Sequence, residues 1–533
     1  MVLGYMGHVA AMLVFGWLVL VSYRYVAARS RVMGNVLALA IVVRAALGVA
    51  LFWISYSDLP IAESLQSGDG FWQPAPDAAG YYLRAADAAD AGTLFDGSSA
   101  APFYVDTLAL WMNVVGISPA AAMFLNLCLY VALMVSLIWF FRPVNEWRPD
   151  LPCIVGVVAY SFSPVVLLHS TQPLKEELFS VLVAIACLGM LGIGRLMYSG
   201  TGAGQQRAVA TGAVAITVAM VAGAGIRAYY PIITWSTLAL VLAIFAIFGR
   251  TAPLPRYLAG SAAVLMGTWL GLVTGPGTSY WMLAPGLRSI AEFPSRLVTM
   301  AQVSRTGFLT SGGGTNIVVP LRSDAAAGTA RSSQLREESH EMALDATAWL
   351  TGARRDAPRA SVRPASVPPA SQPGSSSQAP GTEPAPQGFG PVSHFRAIPV
   401  TGVEQLRVLA TGLGLIFVPF SVMQSVLGIE IPGGQGLLSI ADADTIYLDI
   451  VTLVVLAFLW RRRHGIGNRL PFVVFGLTLS AVTAVLLGYV VTNYGTLWRM
   501  RPLVAIPLWV LVVALSPRAH EATGVRHQAP AAT

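Results

Sequence analysis

The chain of 533 residues is 55% hydrophobic and only 11% charged, and its mean hydropathy is +0.64. This composition excludes a soluble globular protein and predicts an all-α, polytopic membrane protein, because a spanning helix needs roughly 20 mostly apolar residues and about eleven segments meet that length. The formal net charge of +7 comes mostly from arginines in short loops. Such loops report membrane topology, so no nucleic-acid partner is predicted.

Arginine-rich loops predict the topology, because cytoplasmic loops carry an excess of Lys and Arg. They place the N-terminus outside, the C-terminus inside and an acidic loop, residues 56–102, on the extracytoplasmic face. One apolar stretch, 408–428, fits this topology as a re-entrant segment broken at Pro419, and the sequence leaves open that it spans. The predicted spans are 5–23, 35–55, 119–141, 151–168, 178–196, 208–224, 232–248, 258–273, 446–460, 471–491 and 502–515.

These spans define an N-terminal transmembrane module, residues 1–275, and a C-terminal set of transmembrane helices, residues 403–516. Between them, residues 276–402 are predicted to form an extracytoplasmic loop. Its segment 356–391 is rich in Pro, Ser and Ala and is predicted to be disordered, since it cannot bury enough apolar surface to fold. Residues 517–533 form a polar cytoplasmic tail.

Two segments have the pattern of amphipathic helices that lie along the membrane surface. One contains Asp77, Tyr81 and Arg84 at helical i, i+4 and i+7 spacing, and the other covers residues 286–300.

Distinctive cations fall on the predicted extracytoplasmic side. Lys175 is the only lysine of the chain and precedes Glu176, and other turns on that side carry Arg227, Arg499 and Arg501. Outer ends of spans are normally poor in Arg and Lys, so these exceptions indicate a functional site. Arginine offers forked donors to phosphate oxygens and lysine a point charge, which predicts binding of a lipid-anchored phosphate or pyrophosphate. Interfacial salt bridges are the alternative interpretation.

Other polar residues complete the predicted substrate site. Tyr81 and Tyr229 are expected to stack on sugar rings, and His169 and Asn493 to contact the substrate. The histidines and cysteines lack metal-ligand spacing, so no metal site is predicted, although the scattered outer carboxylates leave open a divalent cation as cofactor. Arg44 lies inside a predicted span and is expected to pair with a carboxylate or to extend towards the interface.

The first outer loop resembles that of polytopic GT-C-type glycosyltransferases, which use polyprenyl-phosphate-linked sugars. The similar features are an Asp followed by an aromatic-containing amphipathic helix, here Asp77, Tyr81 and Tyr82, and the turn LLHSTQPLKEELF, which is similar to their second acidic loop. The resemblance covers about residues 35–275 best. It implies a helical bundle whose catalytic Asp is Asp77 by position, with Asp69 as the competing candidate, and Glu176 at the second acidic position.

The sequence therefore predicts a membrane glycosyltransferase that moves a sugar from a polyprenyl-phosphate-linked donor to a glycan or lipid-linked acceptor at the extracytoplasmic face. An outer-face polysaccharide polymerase, acting on O-antigen or exopolysaccharide, is the nearest alternative. A transporter or flippase of a lipid-linked or anionic solute is the second. The arginine-rich, alanine-rich composition is typical of GC-rich bacterial genomes, which predicts the bacterial inner membrane, with its lipids as further partners.

Overall fold

The structure is a computed structural model that describes residues 2–73, 75, 77–94, 101–141, 147–197, 202–227, 229–248, 253–274, 402–427, 434–462, 466, 469–491 and 494–514. The chain divides into two compact units, residues 1–317 with 409–533 and residues 318–408. Of the second unit only 402–408 are described. The predictions for 286–300, 356–391, Asn493 and 517–533 lie outside the described residues.

The described part of the chain is almost entirely helical. Its α-helices are α1 Val2–Ala27, α2 Arg31–Tyr56, α3 Asp77–Ala91, α4 Pro102–Val115, α5 Pro119–Phe141, α6 Trp147–Ser161, α7 Pro164–Ser170, α8 Glu176–Ile193, α9 Ala203–Ala224, α10 Tyr230–Phe248, α11 Leu254–Thr274, α12 Gly402–Phe417, α13 Phe420–Leu427, α14 Gly434–Arg462, α15 Leu470–Val490 and α16 Tyr494–Ala514. Two short strands, β1 Gln66–Gly68 and β2 Phe71–Trp72, pair antiparallel between α2 and α3.

Within the described residues, eight helical segments are long and apolar enough to cross a membrane. This fits an all-α, multi-pass membrane protein, while the count of about eleven spans and the orientation of the termini stay predictions. The eight segments are Val9–Ala27, Arg31–Tyr56, Pro119–Phe141, Glu176–Met197, Ala203–Ala224, Tyr230–Phe248, Ser439–Arg461 and Leu470–Val490.

The prediction of one continuous span over 151–168 is wrong. Helix α6 ends at Ser161, and α7 begins at Pro164 after an extended residue, Ser163, with ψ 124°. Proline fits the first turn of a helix, where no N–H is needed, but it disfavours helical backbone at the residue before it. The break separates α7 as a helix of seven residues, which carries His169.

Helix α16 occupies the centre of the bundle. Every side chain from Leu497 to Val512 is buried, and α16 contacts α5, α6, α7, α8, α14 and α15. A helix that is apolar on nearly all sides is stable only when other elements surround it. The sequence placed Arg499 and Arg501 in an outer turn before a span starting at 502, which is wrong, since both lie in the first turns of α16.

The stretch 408–428 is broken where the sequence predicts it. Helix α12 ends at Phe417 and α13 begins at Phe420, immediately after Pro419. Helix α12 packs very closely on α15, where a Cβ on Gly412 would overlap the carbonyl of Gly488. Whether this segment is re-entrant or crosses the membrane stays a prediction.

The loop between α2 and α3 is attached to the bundle by hydrogen bonds from side chains to the backbone of its hairpin. Ser55 Oγ donates to the Phe71 carbonyl at 2.7 Å, and Gln172 Nε2 donates to the Gly70 carbonyl at 3.3 Å. These bonds join the hairpin to the end of α2 and to the turn before α8. The start of α3, at Asp77, is thereby held near the start of α8.

Candidate functional site

The first turn of α8 presents two adjacent carboxylates to different partners. Glu176 Oε1 accepts a hydrogen bond from Arg227 Nη2 at 3.1 Å, and Glu177 Oε1 accepts one from Arg44 Nη1 at 2.8 Å. Successive helical residues point about 100° apart, which explains the separate partners. These carboxylates directly follow Lys175 and lie at the positive end of the helix dipole, which favours negative charge there.

A second ion pair joins α16 to α3. Arg499 Nη2 lies 2.9 Å from Asp77 Oδ2. The Asp77 side chain is 48% exposed, whereas that of Glu176 is 14% exposed. Asp77 is therefore the carboxylate of the two that is accessible from solution, and Glu176 is enclosed against its arginine.

Lys175 interacts electrostatically with all four members of these two ion pairs. Its Nζ is 5.3 Å from the centre of the Tyr81 ring, a distance at which a cation is attracted to the ring face. Burial, followed by the charge of Arg227, lowers the pKa of Lys175, the charges of Glu176 and Asp77 oppose this effect, and the net result is a pKa of about 8. Burial, followed by the charges of Glu176 and Asp77, raises the pKa of Tyr81.

These residues form what we call the charge cluster, defined as Asp77, Lys175, Glu176, Arg227 and Arg499. Its members come from α3, the start of α8, the turn between α9 and α10, and α16, which lie far apart in the sequence. Tyr81 borders the cluster, and Tyr229 lies beside Arg227. Most of the predicted site residues are thus brought together.

The charge cluster has unused hydrogen-bonding positions. Among the described residues, Glu176 Oε2 and Arg227 Nε are buried and have no hydrogen-bond partner. Burying a polar atom without a hydrogen-bond partner costs free energy. Each of these two atoms therefore favours binding of a ligand or a water molecule that supplies the missing hydrogen bond. A cavity between α7, α8 and α16 reaches Glu176 and Arg499 and is lined also by His169.

His169 lies at the wall of this cavity, where two contacts fix the orientation of its ring. Its Nδ1 donates to the Val165 carbonyl at 2.8 Å, because a carbonyl only accepts. Its ring packs edge-on against Trp498, with 5.3 Å between ring centres. His169, which is predicted to contact the substrate, therefore lies beside the charge cluster.

Two predicted site residues lie elsewhere. Arg501 points to the opposite side of α16 from Arg499, donates to the Leu415 and Ala441 carbonyls, and has its guanidinium 4.5 Å from the centre of the Phe420 ring. Residues two apart on a helix do not share a face, so the prediction that Arg501 joins the other cations is wrong.

Asp69 also lies outside the charge cluster. It is exposed in the turn between β1 and β2, with φ 53°. After burial, its charge is the largest cause that raises the pKa of Tyr82. Tyr82 is adjacent to Tyr81 on α3 and so points in another direction. The competing assignment of Asp69 as catalytic residue is therefore not favoured by its position.

Asp444 is a buried carboxylate that the site prediction did not include. Its Oδ1 accepts from Ser163 Oγ at 2.8 Å and from the Val165 N–H at 3.1 Å. It thus satisfies the N-terminus of α7, although it is 279 residues away in the sequence. A carboxylate inside an apolar segment is a signal that sequence reading can use.

In the part of the chain that the structure describes, His, Cys, Asp and Glu side chains form no group of three or more that could hold a metal ion. The charge cluster contains three cations and two carboxylates, of which Asp77 is the more exposed. No protein-family model, curated protein or solved structure matches this chain.

Proposed function

We propose that the protein is an integral membrane glycosyltransferase that moves a sugar from a polyprenyl-phosphate-linked donor to a glycan or lipid acceptor at the extracytoplasmic face. The observation that carries this proposal is the charge cluster, in which three cations and two carboxylates from four segments meet. Cations bind the phosphate, and an accessible carboxylate activates the acceptor.

The charge of the cluster favours a donor with one phosphate. Two arginines are already neutralised, Arg227 by Glu176 and Arg499 by Asp77. Lys175 is left as the one cation of the cluster outside these two ion pairs. A sugar joined to a lipid through one phosphate is a phosphodiester with a single negative charge, so the charges match. A pyrophosphate-linked donor, which the polymerase alternative requires, carries at least one further charge.

The cluster supports a direct mechanism of transfer. Asp77 takes the proton of the acceptor hydroxyl while the oxygen of that hydroxyl bonds to the anomeric carbon of the sugar. The bond from that carbon to the phosphate oxygen breaks, and the electron pair stays on the phosphate, which becomes a dianion. Protonated Asp77 no longer neutralises Arg499, so this guanidinium is released to stabilise the new phosphate charge, as catalysis requires.

The variant Asp77→Asn tests the proposal. It keeps the size of the side chain but removes the base, so transfer from labelled polyprenyl-phosphate sugars should fall at least about 100-fold in nanodiscs. Asp87→Asn, on the exposed side of the same helix, is the matched control and should keep full activity.

Full transfer by Asp77→Asn would contradict the base assignment. A map of the protein with polyprenyl phosphate provides a second test, in which the lipid head group is expected among Asp77, Lys175 and Arg499. Lipid bound only on the outer perimeter would contradict the proposed function as a whole.

A transporter or flippase of an anionic solute is the second candidate. The observation in its favour is the pair Asp444 and Arg501, both buried on helices inside the bundle, because buried charges often line transport pathways. Uptake of a labelled anion into liposomes containing the protein, without any sugar transfer, would favour this candidate.

A further inference from the structure

Arg44 is fully buried in the middle of α2 and binds three elements at once. It donates to Glu177 at 2.8 Å, to the Ser161 carbonyl at 3.3 Å and to the Tyr160 carbonyl at 3.2 Å. Its guanidinium also lies 3.9 Å from the centre of the Tyr130 ring. The planar fork of arginine suits such simultaneous bonds, which a lysine cannot make.

The carbonyl partners of Arg44 belong to a helix end. Helix α6 ends at Ser161, and the last carbonyls of a helix have no partner within the helix and carry partial negative charge. Arg44 satisfies two of them and neutralises Glu177, which lies at the positive start of α8. The hydroxyl of Tyr160 donates a further bond to Glu177 at 2.6 Å.

Glu177 directly follows Glu176, so whatever fixes Glu177 also fixes the first turn of α8. We infer that Arg44 is a positioning residue, which holds that turn so that Lys175 and Glu176 face Arg227 and the open side of the charge cluster. This positioning role deepens the proposed function, and only the expected effect of Arg44 on catalysis rests on that function. The position of Lys175 can be tested without any activity.

Lys175 provides the measurement, because it is the only lysine. The rate at which an amine-reactive reagent modifies it, followed by peptide mapping at a series of pH values, reports its pKa. Burial is the largest cause that lowers this pKa to about 8. If the first turn of α8 moves, Lys175 becomes hydrated and the midpoint rises towards that of ordinary lysine.

The decisive variant is the double substitution Arg44→Met/Glu177→Gln. It removes one positive and one negative charge together, so the field at Lys175 changes little and no buried charge is left unpaired, which keeps the variant able to fold. The expected result is a raised midpoint for Lys175. Arg29→Met, which removes an exposed arginine in the turn after α1, is the control and should keep the midpoint of the unaltered protein.

In transfer assays, kcat of the double variant is expected to fall about 100-fold, as for a small misplacement of catalytic groups. An unchanged Lys175 midpoint in the folded double variant would overturn the positioning role. If the Lys175 midpoint rises in the double variant but even the unaltered protein transfers sugar from no donor, the positioning role is kept and the proposed function is contradicted. The two failures are therefore distinguishable.

Discussion

Lys175 gives the charge cluster a pH dependence. Its charged form predominates below its pKa of about 8 and is lost as the pH rises through that value. An arginine side chain in general stays charged throughout this range. The net positive charge that we assign to donor binding is thus supplied by one group.

We therefore expect affinity for a lipid phosphodiester to decrease as the pH rises through about 8. A phosphodiester probe has no titration of its own in this range, so the change reports the protein. The measurement is binding in nanodiscs at a series of pH values. Lys175→Arg is the matched variant and should bind with little pH dependence, and the same decrease in both proteins would contradict the role of Lys175.

The two carboxylates of the charge cluster differ in a way that the sequence does not show. Asp77 and Glu176 are each bonded to an arginine, but only Asp77 is open to solution. Both residues were candidates because the family resemblance puts them at its two acidic positions, on the predicted outer side. The difference in accessibility between Asp77 and Glu176 depends on side-chain burial, which follows from tertiary packing.

At the scale of elements, α14 carries two carboxylates that complete short helices elsewhere. Asp444 accepts from the N–H of Val165 in α7, and Asp442 accepts from the N–H of Ser421 in α13. Both short helices begin at or just after a proline, and their first N–H groups need acceptors from outside the helix. One long helix thus fixes the start of two short ones.

Substitution of Asp444 should accordingly destabilise the start of α7. Asp444→Ala removes the acceptor and is expected to lower the free energy of unfolding by about 1 kcal/mol. Asp444→Asn keeps an acceptor oxygen and should be less destabilising. Thermal unfolding in detergent measures both, and equal losses for the two variants would contradict the capping role.

At the scale of the whole molecule, small residues let helices approach closely. In the packing of α8 on α9, a Cβ on Gly192 would overlap the carbonyl of Ala208, and one on Gly212 would overlap that of Gly189. Close backbone approach through small residues is typical of helix pairs in membranes, where lipid offers no hydrophobic force to drive association.

Gly192→Ala should consequently lower the unfolding temperature, since the helices must separate to accept the methyl group. Gly204→Ala is the matched control on α9, because open space surrounds Gly204 and alanine favours helix by about 1 kcal/mol over glycine. It should leave the unfolding temperature unchanged or raise it. A decrease of the same size in both variants would contradict the packing explanation.

The predicted topology can be tested with an impermeant thiol reagent in intact cells. Asp87→Cys, in the predicted outer loop, should react, whereas Gly204→Cys, at the predicted cytoplasmic start of α9, should react only after the membrane is opened. Two of the three native cysteines are buried and Cys128 is partly buried, so the background is low. The opposite pattern would invert the assigned orientation.

Long apolar runs were predictable because each is sufficient to specify a spanning helix, as in α2, α5 and α15. The break between α6 and α7 was missed because Pro164 was read inside a continuous apolar run. The convergence of Lys175, Arg227 and Arg499 was predicted from their departure from the charge rule. The different direction of Arg501 was not predicted, because it depends on Arg499 and Arg501 lying within one helix, where residues two apart point to different sides.

The position of α16 also bears on biogenesis. This helix fills the centre of the bundle and supplies Arg499, yet it follows every other described helix in the chain. During synthesis the earlier helices are inserted before the ribosome has made their central partner. A nascent chain stalled before Tyr494 would therefore be membrane-embedded but would lack Arg499, with an unfilled interior that quality-control proteases can recognise.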